Sequence, residues 1–472
     1  MRMQAGLFDR TVWVVMALVI AATALVIGRG DRIGVRVVAL SPEAASSGIS
    51  PQTHLRIRFD QALRAETLDP AALRLEPPVA GEARVEGNSV VFAPHTALAP
   101  DTTYRVYLDV GVQSRQGRSL LAPLTWEFRT GHTSVLFSRV DDRGREQLWL
   151  APITLAPDRV ELETPRQLGE APFGVWDFAV DPGSGQVVYS MLNEDGTADL
   201  WTLSAGARAP SLFLACPSAA CAGVAFSPDS RLLAFSQRND TGMGAPVVSP
   251  PRLRMMDLAT GETAAVFGDS QQLGFEPRWS TDGQWLSYLS PDLIGVGVYN
   301  LETGAQHFYA TSTGETGVWH PRQNRLVISR MEQQGELYQV HLYAVDPTQE
   351  AAPDALGIRL SLHDVPVEDN SPAWSPDGEW LAFRRKELAG PRESLGKQLW
   401  LMRGDGSDAR PLTVAPAFDH GPPTWSPDGR YLLYHKFPLR GPDVTISVWV
   451  MDVTTGQEWE IARPGQRPQW VP

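Results

Sequence analysis

Short runs in which apolar and polar residues alternate recur along most of the chain. Residues 54–59 read H-L-R-I-R-F, which sets Leu55, Ile57 and Phe59 on one face, the period-two signature of a half-buried strand. Residues 89–92, 104–108 and 124–128 repeat the style, and Gly87-Asn88, Pro100-Asp101 and Gln116-Gly117 punctuate it with turns. About seven such strands over residues 35–131 predict a small β-sandwich. One segment breaks the pattern: residues 11–28, TVWVVMALVIAATALVIG, carry no charge. As a helix at about 1.5 Å per residue they span about 27 Å, close to one hydrocarbon core. The expectation is a single-pass transmembrane helix after a short tail at residues 1–10. Ala22-Thr23-Ala24 keeps a cleaved signal peptide open as the alternative. Arg2 and Arg10 precede the run and Arg29, Arg32 and Arg36 follow it, so basic flanks do not orient it.

From residue 133 onward the chain repeats. Trp374-Ser375-Pro376-Asp377-Gly378 is followed by Phe383, and Trp425-Ser426-Pro427-Asp428-Gly429 by Tyr434 at the same spacing. Trp279-Ser280-Thr281-Asp282-Gly283 with Tyr288, and Phe226-Ser227-Pro228-Asp229-Ser230 with Phe235, keep that register. Val180-Asp181-Pro182 with Tyr189 and Trp319-His320-Pro321 with Ile328 are degenerate copies. Heads at 180, 226, 279, 319, 374 and 425 are spaced as four-stranded propeller blades are. Pro presets φ, Asp bonds nearby amides and Gly supplies positive φ, so each head predicts a tight turn between a blade's first and second strands. Asp229, Asp282, Asp377, Gly378, Asp428 and Gly429 are therefore read as structural turn residues. Residues 135–140 and 147–151 read as second and third strands without a first, and residues 468–471 as a first strand with nothing after it. Joined, they complete a shared blade and close the ring. The expectation is all-β: a seven-bladed propeller over residues 133–472, with six blades as the alternative.

Composition narrows the function classes. The formal net charge of −13, with Lys386, Lys397 and Lys436 the only lysines among 41 basic residues, argues against a nucleic-acid partner. Two cysteines exclude a disulfide-dense scaffold and a four-cysteine zinc site. No G-x-S-x-G elbow, H-E-x-x-H, P-loop or G-x-G-x-x-G appears, so no catalytic or cofactor residue is assigned. Residues 404–408, G-D-G-S-D, lack the further ligands of a calcium loop and read as a turn.

Two resemblances add to this. Ser41-Pro42, residues 57–60 (I-R-F-D), Phe92-Ala93-Pro94, residues 98–104 (L-A-P-D-T-T-Y) and residues 126–130 (W-E-F-R-T) resemble the bacterial Ig-like domain of S-layer-type surface proteins, the SbsA-like class. That resemblance implies a spacer or adhesion module outside the cytoplasmic membrane, and no binding residue transfers. The Pro-Asp-Gly heads resemble the propeller repeat of TolB-type proteins and of peptidase propellers. Peptidases of that class carry a separate α/β-hydrolase domain, for which a repeat running to Pro472 leaves no room.

The reading that follows is a membrane-anchored extracytoplasmic scaffold whose propeller recognises a protein, a peptide or an envelope polymer without a cofactor. The alternative is a propeller hydrolase or lyase with a metal at the channel mouth. Glu276, Glu315, Asp369 and Asp419 recur at the starts of innermost strands, and His320 and His420 both lie near such starts, so these six form the candidate binding rim. Cys216 and Cys221 flank a short link between blades, where either a disulfide or two buried thiols fit. The insertions at residues 238–251, 385–396 and 437–444 join second to third strands and point to the rim's own face.

Overall fold

The computed structural model describes residues 34–471 apart from 47–48, 50, 52, 96–97, 132, 157–158, 204–208, 240–248, 349–356, 362–364 and 443, together with Met16. Residues 11–28, the expected membrane segment, lie outside the described residues but for Met16. Among the described residues no helix is long and apolar enough to cross a membrane. The described chain divides into two compact units. One holds most of residues 34–127; the other holds residues 128–471 with the short segments 46–53 and 94–103.

The first unit builds a two-sheet sandwich. Strands β1 (Val37–Ser41), β2 (Leu55–Phe59), β5 (Ser89–Pro94) and β4 (Gly81–Glu86) form one sheet in the order β1-β2-β5-β4. Strands β3 (Leu73–Glu76), β6 (Thr103–Leu108) and β7 (Leu124–Arg129) form the other. Alternation does what it predicts: Leu55, Ile57 and Phe59 are buried, as are Tyr104, Val106 and Leu108, while Arg58 and Arg105 between them face water.

The second unit contains seven antiparallel blades. Blade 1 is Val175–Val180, Val187–Leu192, Ala198–Leu203 and Ser211–Leu214, and blade 2 is Ala219–Phe226, Leu232–Asn239, Arg252–Asp257 and Thr263–Ala265. Blade 3 is Phe275–Trp279, Trp285–Ser290, Gly295–Asn300 and Gln306–Ala310, and blade 4 is Val318–Trp319, Leu326–Gln334, Leu337–Val345 and Ile358–Arg359. Blade 5 is Val367–Trp374, Trp380–Glu387, Gln398–Arg403 and Arg410–Pro411. Blade 6 has an interrupted first strand, Phe418–His420 then Thr424–Trp425, before Tyr431–Pro438, Ser447–Asp452 and Glu458–Ala462. In blade 7 the C-terminal strand Gln466–Val471 pairs with Ser134–Val140, which pairs with Glu146–Ala156. Trp470 lies opposite Val135 and Val471 opposite Ser134, so the two ends of the propeller share one sheet.

Aromatic and branched residues seal each blade to the next. Trp319 of blade 4 joins Leu289, Val296 and Val298 of blade 3, and Trp374 of blade 5 joins Val327 and Leu342 of blade 4. Three of the head tryptophans also donate hydrogen bonds backward to a carbonyl, whereas Trp319 reaches the Ser287 hydroxyl and the Trp374 Nε1 has no partner among the described residues. The Nε1 of Trp279 reaches the Ala225 carbonyl at 2.9 Å, that of Trp425 the Ala373 carbonyl at 2.9 Å, and that of Trp470 the Thr424 carbonyl at 3.2 Å. Each acceptor immediately precedes the previous blade's own head residue. One repeated side chain thus supplies both interblade packing and interblade register.

Candidate functional site

The propeller's two faces differ because their loops do different work. On the Pro-Asp-Gly face each turn is closed from within. Ser375 donates its hydroxyl to Asp377 at 2.5 Å and accepts the Trp380 amide at 2.9 Å. Ser426 with Asp428, Ser280 with Asp282 and Ser227 with Asp229 repeat the first of these contacts. Neighbouring turns are also tied together. Ser230 donates to Asp181, Thr281 donates to the His320 carbonyl at 2.7 Å, and Asn324 donates to Asp282 at 2.7 Å.

His320 belongs to this network and not to the rim where its sequence position was taken to place it. It occupies the serine position of its head. Its Nδ1 accepts the Arg322 amide at 3.0 Å, its Nε2 lies 3.2 Å from the Gly378 carbonyl, and its ring meets Trp374 edge-on at 4.7 Å. Burial lowers its pKa, which favours the neutral ring those contacts require. His320 follows an innermost strand and His420 opens one, so the pair proposed from sequence sits at opposite ends of the blades. Among the described residues no group of three or more His, Cys, Asp or Glu side chains is arranged to hold a metal.

At the other face, where innermost strands begin, a bulge recurs. Gly223, Glu276, Ser371 and Arg467 each stand three residues before the head residue of their blade and each has φ between 50° and 63°. The ladder slips at each of these points. A bulge frees an amide, and carboxylates from the preceding blade take two of them. Asp177 accepts the Val224 amide at 3.2 Å, and Glu315 accepts the Ser371 amide at 2.9 Å together with the hydroxyls of Ser371 and Ser329 at 2.7 Å.

The other rim acids divide sharply. Asp369 is fully buried and bonds Arg385 twice, at 2.6 and 2.7 Å, with the guanidinium lying on Trp400. Asp419 pairs with Arg384 at 2.8 Å and accepts the Lys397 amide at 2.9 Å. Both carboxylates are already neutralised inside the fold. Glu276 alone among the four forms no ion pair or hydrogen bond among the described residues. It is open to water yet ringed by protein, and that partial desolvation raises its pKa, with Arg278 opposing and Asp177 reinforcing. The open carboxylate at the mouth is therefore Glu276 of blade 3, within electrostatic reach of Asp177 on blade 1. Between them, the first strand of blade 2, A-A-C-A-G-V-A-F, is stripped to small residues.

In blade 6 His420 is buried, with Nδ1 2.9 Å from the Lys397 carbonyl. Its Nε2 and the Nδ1 of His435 have no partner among the described residues. Burial lowers the pKa of both rings, to about 4 for His435. Cys216 and Cys221 form a disulfide in the link from blade 1 to blade 2. The Cys216 amide is held at 2.7 Å by Asp199, near the start of blade 1's third strand. Gln147 clips Ala171, and Gln398 clips Ala415, from corresponding positions in blades 7 and 5. Arg384, Arg385, Asp177 and the two glutamines escaped sequence reading. Only the recurrence three residues before each head marks Asp177 and Glu276 as equivalent.

Apolar exposure leans the same way, although Leu212 and Ile358 are exposed where fourth strands begin, toward the Pro-Asp-Gly face. Phe173, Trp176, Leu293, Ile294, Leu337, Tyr338, Leu395 and Val414 are exposed, and all stand in second-to-third-strand loops or interblade links or close to them. None of the exposed large apolar residues described lies in a Pro-Asp-Gly turn. A shallow cavity of about 420 Å³, lined by Asp141, Arg145, Gln147, Gln167, Gly169 and Glu170, opens on the same face at blade 7.

Comparison with known proteins fits this architecture. Residues 31–130 match the bacterial Ig-like domain family. A 62-residue stretch is 44% identical to an uncharacterized peptidase, YuxL, of Bacillus subtilis, covering 13% of this chain and 8% of that protein. Among solved structures, a puromycin-hydrolyzing peptidase from Mycobacterium tuberculosis superposes with TM-score 0.50 at 16% identity, covering 87% of this chain and 57% of that one. TolB from Acinetobacter baumannii covers 88% of both chains with TM-score 0.43 at 12% identity. The chain thus spans little more than half of that peptidase and a small part of YuxL, and similarity at this level speaks to fold alone.

Proposed function

We propose that this chain is a membrane-anchored, extracytoplasmic binding protein. Its propeller recognises a protein, peptide or envelope-polymer partner on the face where second-to-third-strand loops emerge, with no catalytic step of its own. The observation that carries the reading is the contrast between faces: one spends its polar groups on turn-to-turn bonds, the other displays apolar tips around a mouth with an open carboxylate. Loops on a rigid scaffold are where binding resides in such folds. The orientation rests on the Ig-like domain and the apolar run at residues 11–28. A reporter fused after Pro472 is expected to be active only outside the cytoplasm; activity of a cytoplasm-only reporter there would reverse the topology.

The second reading, a hydrolase or lyase, draws on the enzymes among the structural relatives. Metal analysis of the purified chain, combined with retention of envelope components, separates the two. A retained component without stoichiometric metal supports the binding protein; stoichiometric metal without retention supports the enzyme.

A further inference from the structure

Blade 4 differs from the rest at the loop-bearing face. The second and third strands of blade 4 run as one long hairpin, Leu326–Gln334 with Leu337–Val345, paired through Gln334 and Leu337 at its tip. Blade 3's corresponding strands are Trp285–Ser290 and Gly295–Asn300, six residues each. At about 3.3 Å per residue, three extra residues per strand carry the blade 4 tip about 10 Å further out. That tip exposes Met331, Leu337 and Tyr338, the last at 59%. Leu293 and Ile294 are exposed at the blade 3 turn, Ile294 at 67% with φ of 52°. A β-branched side chain is poorly suited to left-handed backbone, and at that exposure no core contact offsets the strain. Folding alone would favour glycine or asparagine there; display of an apolar surface accounts for isoleucine.

Charge narrows what the surface takes. Residues 290–295 and 330–338 contain Asp292, Glu332 and Glu336 against Arg330 alone. Glu276, the open carboxylate of the mouth, belongs to the same blade as Leu293 and Ile294. Arg278 stands on the same strand as Glu276 and opposes its charge in part. An acidic, apolar surface repels an anionic lipid headgroup and complements a polypeptide that carries both cationic and apolar side chains.

We infer that the blade 3 turn and the blade 4 hairpin tip form a docking patch for a cationic, apolar polypeptide segment. This rests on the binding-protein reading and assigns that function its surface and partner class. The test measures fluorescence anisotropy of labelled peptides of equal length, alternating Lys–Phe, Glu–Phe or Lys–Ser, against the full chain in detergent. Lys–Phe is expected to bind saturably and to weaken with added salt, with Glu–Phe and Lys–Ser at least tenfold weaker. The pair Leu293→Ser with Ile294→Gly, and separately the pair Leu337→Ser with Tyr338→Ser, should each weaken Lys–Phe at least tenfold without lowering the melting temperature. Val414→Ser on the link between blades 5 and 6 should leave binding as it is. No binding of Lys–Phe, equal binding of Glu–Phe, or indifference to both tip pairs overturns the proposal. Retention of envelope components that survives the tip substitutions removes this patch and leaves the binding-protein reading standing; absence of any retention removes that reading itself.

Discussion

Arg385 and Asp369 are both sealed from water, whereas Arg384 and Asp419 stand in a partly open site. A buried charge stripped of its partner is far more costly than an exposed one. Asp369→Ala is therefore expected to lose about 3–5 kcal/mol, as an uncompensated guanidinium is left inside the blade. Asp419→Ala should lose about 1 kcal/mol. Urea unfolding of the two variants checks the order, and equal losses would place the Asp369 pair outside the dry interior. The buried histidines set a pH dependence. His341, His420 and His435 all have pKa values lowered by burial, His435 to about 4. The unfolded chain takes up their protons near its ordinary imidazole pKa of about 6.5 while the folded chain does not. Stability is thus full above that pH and falls as pH drops from about 6.5 toward about 4. His435→Gln should flatten that fall in melts recorded across the window, and an unchanged slope would exclude His435 as a contributor.

The repeated turn is the element on which the blades are hung. Gly378 has φ of 75°, and a Cβ there would meet the His320 ring at 2.6 Å. Gly441 is also left-handed, with φ of 110°, but a Cβ there meets nothing within 4 Å. Gly378→Ala combines backbone strain with a clash against the neighbouring blade's turn, whereas Gly441→Ala brings strain alone, about 1 kcal/mol. Thermal melting should show the first variant as clearly the less stable, and equal shifts would mean that contact between turns contributes little. The same comparison marks how far sequence reading reached at this scale. Pro, Asp and Gly at each head announced the turn because their effects are local. The serine's double contact and the bond from His320 to Gly378 went unread because the second partner lies on another strand or in another blade.

At the scale of the whole molecule, ring closure depends on six residues at one end. Removing residues 466–472 takes the first strand from blade 7 and uncovers the edge of Ser134–Val140. Unpaired edges invite association, so the truncated chain is expected to elute as large species in size-exclusion chromatography and to lose its cooperative transition. A monomeric, cooperatively unfolding truncation would show that the ring holds without this strand. The architecture after the apolar run was legible in the chain itself: a sandwich with period-two strands, six heads and two orphaned ends that complete each other. Those signals are local periodicities and turn chemistry, which a one-dimensional pattern carries. The rim was not legible in the same way. Asp369, Asp419 and Glu276 all lie near the start of an innermost strand, yet Arg385 and Arg384 pair with the first two and no described side chain pairs with the third. Whether a carboxylate is neutralised or open is decided by which strand becomes its neighbour, and that is settled only when the blades close around the channel.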